Sequence, residues 1–280
     1  MILVFGKSGQ VATELARQGD VLCLGRDVCD LSVTGNVVAA IAAHQPTAVI
    51  NAAAYTAVDQ AEDDEAAALQ INGHAVAEMA DACAKLNIPL VHISTDYVFA
   101  GDGIDPWQST DPTSPLGTYG RTKLAGEDAV RASGVTHAIL RTSWVFSAHG
   151  NNFLKTMLRL GADRDALTIV ADQIGGPTPA ADIAAACLMI AGQLKTDPNT
   201  GGTYHFAGAP DVSWADFARA IFDQAGITCD VTDIPSSDYP TPAARPLNSR
   251  MDCSSIHTTF NIPRPDWRQG ITDILKDLSL

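Results

Sequence analysis

Short apolar runs recur along the first half of the chain, at Ile2–Phe5, Val21–Leu24, Ala48–Ala53, Pro89–Ser94 and Ala138–Val145. The stretches between them carry a helical period instead: Val37, Val38, Ile41 and Ala42, then Ile71, Ala75, Val76, Met79, Ala80 and Cys83. Runs that are continuously apolar, with no polar alternation, predict strands covered on both faces. Strands alternating with amphipathic helices predict parallel pairing with right-handed crossovers. The expected fold is therefore α/β, a doubly wound parallel sheet of the Rossmann-like kind. A further strand is expected at Thr168–Ala171.

Beyond about residue 150 the texture changes. Proline and glycine cluster at Gly175–Pro179, Pro198–Gly202 and Pro235–Pro246, while helical patterns persist at Asp182–Leu194 and Trp214–Gln224. The chain is expected to divide into a sheet-bearing part, 1–174, and a smaller lobe, 175–280, partly interleaved with it. No internal repeat or low-complexity segment interrupts this plan.

Composition narrows the function classes. Of the 280 residues 46% are hydrophobic, enough for a large core. No apolar run approaches the ~20 residues of a membrane span, and the N-terminus MILVFGKSGQ lacks the features of a signal peptide. The six cysteines, Cys23, Cys29, Cys83, Cys187, Cys229 and Cys253, form no C-x-x-C pair and no Cys/His cluster. Reduced thiols in a cytoplasmic protein are expected, with no metal site. The net charge of −14 opposes nucleic-acid binding, which needs basic surface to replace counterions. An anionic ligand must then be held by local arginines or backbone N–H groups.

The first strand runs straight into Gly6, with Gly9 three residues later and Ala12 three beyond that. This G-x-x-G-x-x-A turn suits a dinucleotide: Gly6 for the tight turn, Gly9 for close approach of a pyrophosphate, Ala12 for helix–strand packing. At the end of the second strand stand Gly25 and Arg26, where an acidic residue grips a ribose 2′-hydroxyl and arginine accommodates a 2′-phosphate. Arg26 favours NADPH and leaves NADH open.

Residues 119–123 read Tyr-Gly-Arg-Thr-Lys at the head of a helical pattern. The i,i+4 spacing puts Tyr119 and Lys123 on one helix face. A free phenol titrates near ~10, and a nearby cation is expected to lower that value and make it a better acid. Lys123 could also hold ribose hydroxyls. Upstream, the fourth strand ends in Ser94-Thr95-Asp96, and a hydroxyl there points into the crevice at the carboxyl ends of the strands. Either Ser94 or Thr95 could donate to a substrate carbonyl.

Together these motifs resemble the extended short-chain dehydrogenase/reductase superfamily and, within it, the dTDP-4-dehydrorhamnose reductases. The resemblance runs through FGKSGQVA at 5–12, NAAAYTAVDQAE at 51–62, STDYVFAG at 94–101 and YGRTKLAGE at 119–127. It continues in RTSWVF at 141–146, GNNFLKTMLRL at 150–160, DQIGGPT at 172–178 and YPTPAARPLNSRMD at 239–252. It implies NAD(P)H-dependent reduction of the 4-keto group of a dTDP-deoxysugar, with the smaller lobe binding substrate. Gly9, Gln10 and Val11 would line the cofactor, Asp30 and Leu31 the adenine, and Ala54, Tyr55 and Thr56 the nicotinamide half. Thr95 would polarise the sugar carbonyl, Tyr119 deliver the proton and Lys123 tune it. Asp96 and Trp144 would contact the sugar nucleotide, and Asn152 and Arg245 its diphosphate.

Some relatives bind Mg2+ through surface carboxylates at a homodimer contact. Glu14 matches one of these, but Ala181 replaces another, so no metal-bridged dimer is inferred. Two rivals stay open: an epimerase or dehydratase of the same fold, and a cofactor-binding regulatory subunit without catalysis.

Overall fold

Every apolar run of the first half forms a strand in the computed structural model, which describes residues 1–280. The chain opens β1 (Ile2–Phe5), α1 (Gln10–Gln18), β2 (Val21–Leu24), α2 (Asn36–His44) and β3 (Ala48–Asn51). A short α3 (Glu65–Leu69) passes through a π-turn at Gln70–His74 into α4 (Ala75–Leu86). Then come β4 (Leu90–Thr95), α5 (Thr118–Ala132) and β5 (His137–Thr142).

The main sheet has six parallel strands in the order β10-β5-β4-β3-β1-β2, where β10 is Gly202–His205. Strand order reverses between β1 and β3, so the helices after these strands diverge and leave a crevice at their carboxyl ends. Side chains alternate between two cores. Val4, Ile50, Val91 and Leu140 pack with α1 and with α7 (Ala180–Thr196) on one face. Leu3, Phe5, Val49, Leu90 and Ile139 pack with α2 and α4 on the other. Neither face meets water, which is why the strands read as mainly apolar runs rather than alternating ones.

The strand expected at Thr168–Ala171 forms as β7 (Ala166–Val170), counting β6 (Val145–Phe146) before it, but lies outside the main sheet. It pairs in parallel with β12 (Asp230–Ile234). The sixth strand of the main sheet is β10, whose GTYH sequence carries little apolar signal. Around β7 and β12 a third core gathers α6 (Phe153–Asp163), α8 (Trp214–Ala225) and α10 (Trp267–Asp277), with Phe217 and Trp267 fully buried. Short β8 (Ile174–Gly175), β9 (Thr178–Pro179), β11 (Val212–Ser213) and β13 (Asn248–Ser249) stitch this part to the loops above the main sheet. Helix α9 (Ser254–Phe260) closes the first core.

Candidate functional site

A cleft of about 780 Å³ opens over the carboxyl ends of β1, β3 and β4. Its floor is the turn after β1. Gly6 has φ +114°, a conformation L side chains rarely adopt, and an added Cβ would press on the Ala52 backbone at 3.2 Å. Gly9 N-caps α1, and a Cβ there would project into open space. The first turn of α1 has no side-chain cap and no acidic residue, so its N–H groups are free for an anion. Val11 lines the same wall. This cradle fits the pyrophosphate of a dinucleotide.

Arg26, Asp30 and Leu31 line one end of the cleft. Arg26 Nε is 3.6 Å from Asp30 Oδ1, and its side chain is otherwise largely exposed. Lys7, which the sequence reading did not single out, lies beside Gly25 and pairs with Asp27 at 3.7 Å. Ala54 and Thr56 line the middle of the cleft. Tyr55 does not: its ring packs on the second core, its hydroxyl donates to Asp64 at 3.4 Å and its N–H donates to Asn72 at 2.8 Å.

At the other end Thr95, Asp96, Tyr119, Lys123 and Trp144 come together. Alternation along β4 separates Ser94 from Thr95. The Ser94 hydroxyl donates to Glu127 at 2.6 Å behind the strand. The Thr95 hydroxyl donates to Asp96 at 3.1 Å, accepts the Tyr97 N–H at 3.2 Å and also lies against the Tyr119 phenol. Lys123 is buried and donates to the Ile93 carbonyl at 2.7 Å. Burial lowers its ammonium to about 8, against the opposing pull of Glu127.

The expected lowering of the tyrosine is not what the structure has. Burial, and then the Asp96 charge, push the Tyr119 phenol up to about 12, with only the Thr95 hydrogen bond opposing. Lys123 spends its hydrogen bond on Ile93 rather than on the phenol. A phenol so placed is fully protonated at neutral pH, the form a proton donor needs.

Asp96 is 3% exposed, and burial raises its carboxyl to about 6 despite the Ser249 and Thr95 hydroxyls. Its Oδ2 makes no hydrogen bond of good geometry. The folded state therefore favours the protonated acid: stability is fully present below the unfolded value near 3.8 and is lost as pH rises through about 6. Replacing Asp96 with Asn should raise Tm by roughly 5 °C at pH 7.5, from an upper bound of roughly 3 kcal/mol. That gain should vanish between pH 6 and pH 4. A gain equal at both ends of the range in thermal melts would show that ionisation is not its origin.

Two residues expected on the diphosphate do not line the cleft. Asn152 caps α6, accepting the Lys155 N–H at 3.1 Å and donating to Gln10 at 2.9 Å and to the Ser147 carbonyl at 2.8 Å. Gln10 itself is turned towards this loop, also accepting from Ser147 at 3.0 Å. Arg245 pairs with Asp59 at 2.7 Å, and its Nη1 is buried without a partner. Trp144, at φ +49°, stacks on Trp214 with centroids 3.6 Å apart. Glu14 is occupied by Arg17 at 3.1 Å and His149 at 3.0 Å.

The sequence reading missed the charged set behind the site: the buried Glu127 and Arg141, with Arg131 reaching Glu127 from the surface. Two signals were available. Glu127 follows Lys123 at i+4 on the same helix face, and Arg141 sits inside an otherwise apolar strand, HAILRT. An arginine in a central strand needs a buried anion.

The comparisons with known proteins agree with this geometry. The model of the RmlD substrate binding domain matches residues 1–280. A dTDP-4-dehydrorhamnose reductase of Sinorhizobium fredii is 42% identical over 279 residues, 96% of this chain and 94% of that one. The crystal structure of such a reductase from Clostridium acetobutylicum superposes with a TM-score of 0.93 at 33% identity, covering 100% of this chain and 99% of that one. The Bacillus anthracis reductase, solved in complex with NADP, gives 0.92 at 32% identity, with 99% and 98% covered. No helix here is long and apolar enough to cross a membrane. The chain belongs to the RmlD substrate binding domain family, the family of the dTDP-4-dehydrorhamnose reductases it matches along its whole length.

Proposed function

We propose that this chain reduces the 4-keto group of dTDP-4-dehydro-L-rhamnose, giving dTDP-L-rhamnose, with NADPH as the reductant in the cytoplasm. The observation that carries this reading is the meeting of Thr95, Tyr119 and Lys123 beside the free N-terminus of α1 in one cleft. In this reading residues 1–174 hold the dinucleotide, and 175–280 form the smaller, interleaved substrate lobe.

When bound, the dihydronicotinamide supplies the hydride for the carbonyl carbon. Thr95 and Tyr119 donate hydrogen bonds to the carbonyl oxygen, where negative charge develops. Tyr119 then transfers its proton to that oxygen, and the Lys123 ammonium stabilises the phenolate left behind. The same ammonium holds ribose hydroxyls. Trp144, braced by Trp214, packs on the sugar, and Asp96 accepts from one of its hydroxyls. Arg245 Nη1 is the group for the diphosphate, while Asn152 serves to hold Gln10. No nucleic-acid, membrane or metal partner enters this scheme, and homodimer formation is to be checked by sedimentation.

The test is to follow NADPH oxidation with dTDP-4-dehydro-L-rhamnose. One reduced cofactor should be consumed per product. Product without net oxidation means an epimerase or dehydratase, and no turnover of any 4-keto sugar nucleotide means a regulatory subunit.

Lys7 and Arg26 flank the end of β2, and both carry the preference for a 2′-phosphate. Each charge-assisted bond to phosphate is worth roughly 1.5–3 kcal/mol. Arg26→Ala should therefore raise KM for NADPH by about tenfold or more and leave NADH within about twofold. An equal rise for both cofactors would remove Arg26 from 2′-phosphate recognition.

A further inference from the structure

Behind the cleft, α5 presents Tyr119, Lys123 and Glu127 on successive turns of one face. Lys123 and Glu127 each grip β4 beside the reacting hydroxyl. Lys123 bonds the Ile93 carbonyl, and Glu127 takes the Ser94 hydroxyl, so the two residues that lead into Thr95 are tied to one helix. The Glu127 carboxylate is fully buried. Arg141 of β5 clamps it with Nε at 2.9 Å and Nη2 at 2.7 Å, and Arg131 adds a third contact from the protein surface. Arg141 also reaches the Ser109 carbonyl at 3.3 Å, in the loop that leads into α5, and lies over Phe99. One carboxylate thus joins β4, β5, α5 and the loop before it. Its lone pairs are filled and none of its atoms touches the cleft, so it takes no part in the chemistry directly.

We propose that Glu127 is a positioning residue for the reduction: it holds Thr95 in register with Tyr119 and supplies the counter-charge that keeps Lys123 an ammonium. The inference rests on the reductase reading and extends it to a residue outside the cleft. The electrostatics agree in sign. Glu127 is the only charge that raises the Lys123 ammonium against burial. The other groups near Lys123 do not replace it. His92 of β4 is buried and held neutral, its pKa lowered by burial and then by Lys123 itself. Asp96, in the turn after β4, faces the Tyr119 phenol. Glu62 and Glu65, on the elements before α4, are engaged by Thr118 and Arg121. Arg131 and Arg141 add positive charge, which Glu127 absorbs.

The test compares Glu127→Gln and Arg131→Gln with the parent protein. Two readouts are used: the midpoint of the Lys123 titration, from the 13Cε resonance of the ligand-free protein assigned with Lys123→Arg, and the alkaline limb of the kcat profile. Activity should be lost as pH rises through the Lys123 value. Glu127→Gln removes the counter-charge, so both midpoints should move down by about one pH unit. Arg131→Gln leaves Glu127 less neutralised, so both should move up by a smaller step. A purely structural role for Glu127 would lower Tm and kcat at every pH and leave both midpoints in place, and that result overturns the proposal. If Glu127→Gln does not fold, Arg131→Gln decides alone, because Arg131 is partly exposed and its loss leaves the Arg141 clamp intact. An unmoved Lys123 midpoint in that variant also overturns the proposal. Should the parent fail to reduce the sugar nucleotide, the reductase reading falls, while the resonance titration still judges Glu127.

Discussion

Replacing Tyr119 with Phe is expected to cut kcat by about 10²–10⁴-fold while leaving NADPH affinity within about twofold. The asymmetry follows from where the phenol sits. Its ring meets Tyr97 edge-on at 5.4 Å, a contact phenylalanine keeps, so the wall of the cleft survives. Only the hydroxyl is lost, and no other group can replace its proton. The Thr95 hydroxyl can turn from Asp96 to hydrogen-bond the carbonyl oxygen, but an aliphatic alcohol is too weak an acid to give up its proton, and the Lys123 ammonium is drawn to Ile93. Ser94 is on the far side of the strand, bound to Glu127. Steady-state kinetics and fluorescence titration of NADPH separate the two effects. A variant that keeps kcat within about threefold would remove Tyr119 from proton transfer.

Gly120→Ala should produce the second large effect, on stability and turnover together. The added Cβ would collide with the Tyr97 carbonyl oxygen and stand 2.8 Å from the Pro115 side chain. The first is backbone in the turn after β4, and the second belongs to the entry into α5. Neither can rotate away. Helix α5 must lift from β4, which is overpacking worth about 3 kcal/mol, or roughly 5 °C in Tm. The lift also separates Thr95 from Tyr119, and a displacement near ~1 Å can cost about 10²-fold in rate. Gly9→Ala supplies the contrast. Its Cβ enters open space, and Gly9 has φ −72°, which alanine tolerates. Melting should stay put while NADPH binding weakens. Melting curves and kinetics on both variants check the pair, and an unchanged Tm for Gly120→Ala would contradict the close packing of α5 on the turn.

Much of this was legible in the chain. The five strands from β1 to β5 are mainly apolar runs without polar alternation because both sheet faces are covered, and that pattern is local. The same holds for the Gly6–Gly9–Ala12 turn and the Tyr119–Lys123 spacing, which depend only on neighbours within one helical turn. Strand β10 was not legible. Its GTYH segment joins the sheet edge by backbone pairing with β5, and Thr203 and Gly202 are only partly buried there. Strand β7 read correctly as a strand, yet its partner β12 lies some sixty residues on, so its sheet could not be named from the run alone.

The chemistry divides along the same line. The residues themselves determined that a phenol and an ammonium share a helix face and that a hydroxyl ends the fourth strand. They also determined that glycines open the first turn. Each follows from backbone periodicity. Only the tertiary structure decided that Thr95, not Ser94, faces the phenol, because a buried carboxylate from another element claims Ser94. Only it decided that the Tyr119 phenol is raised rather than lowered, since burial and the Asp96 charge act on it and Lys123 turns to Ile93 instead. It also set Asn152 to capping α6 and Arg245 to pairing with Asp59. Those outcomes depend on desolvation and on partners far away in sequence, and local pattern carries neither.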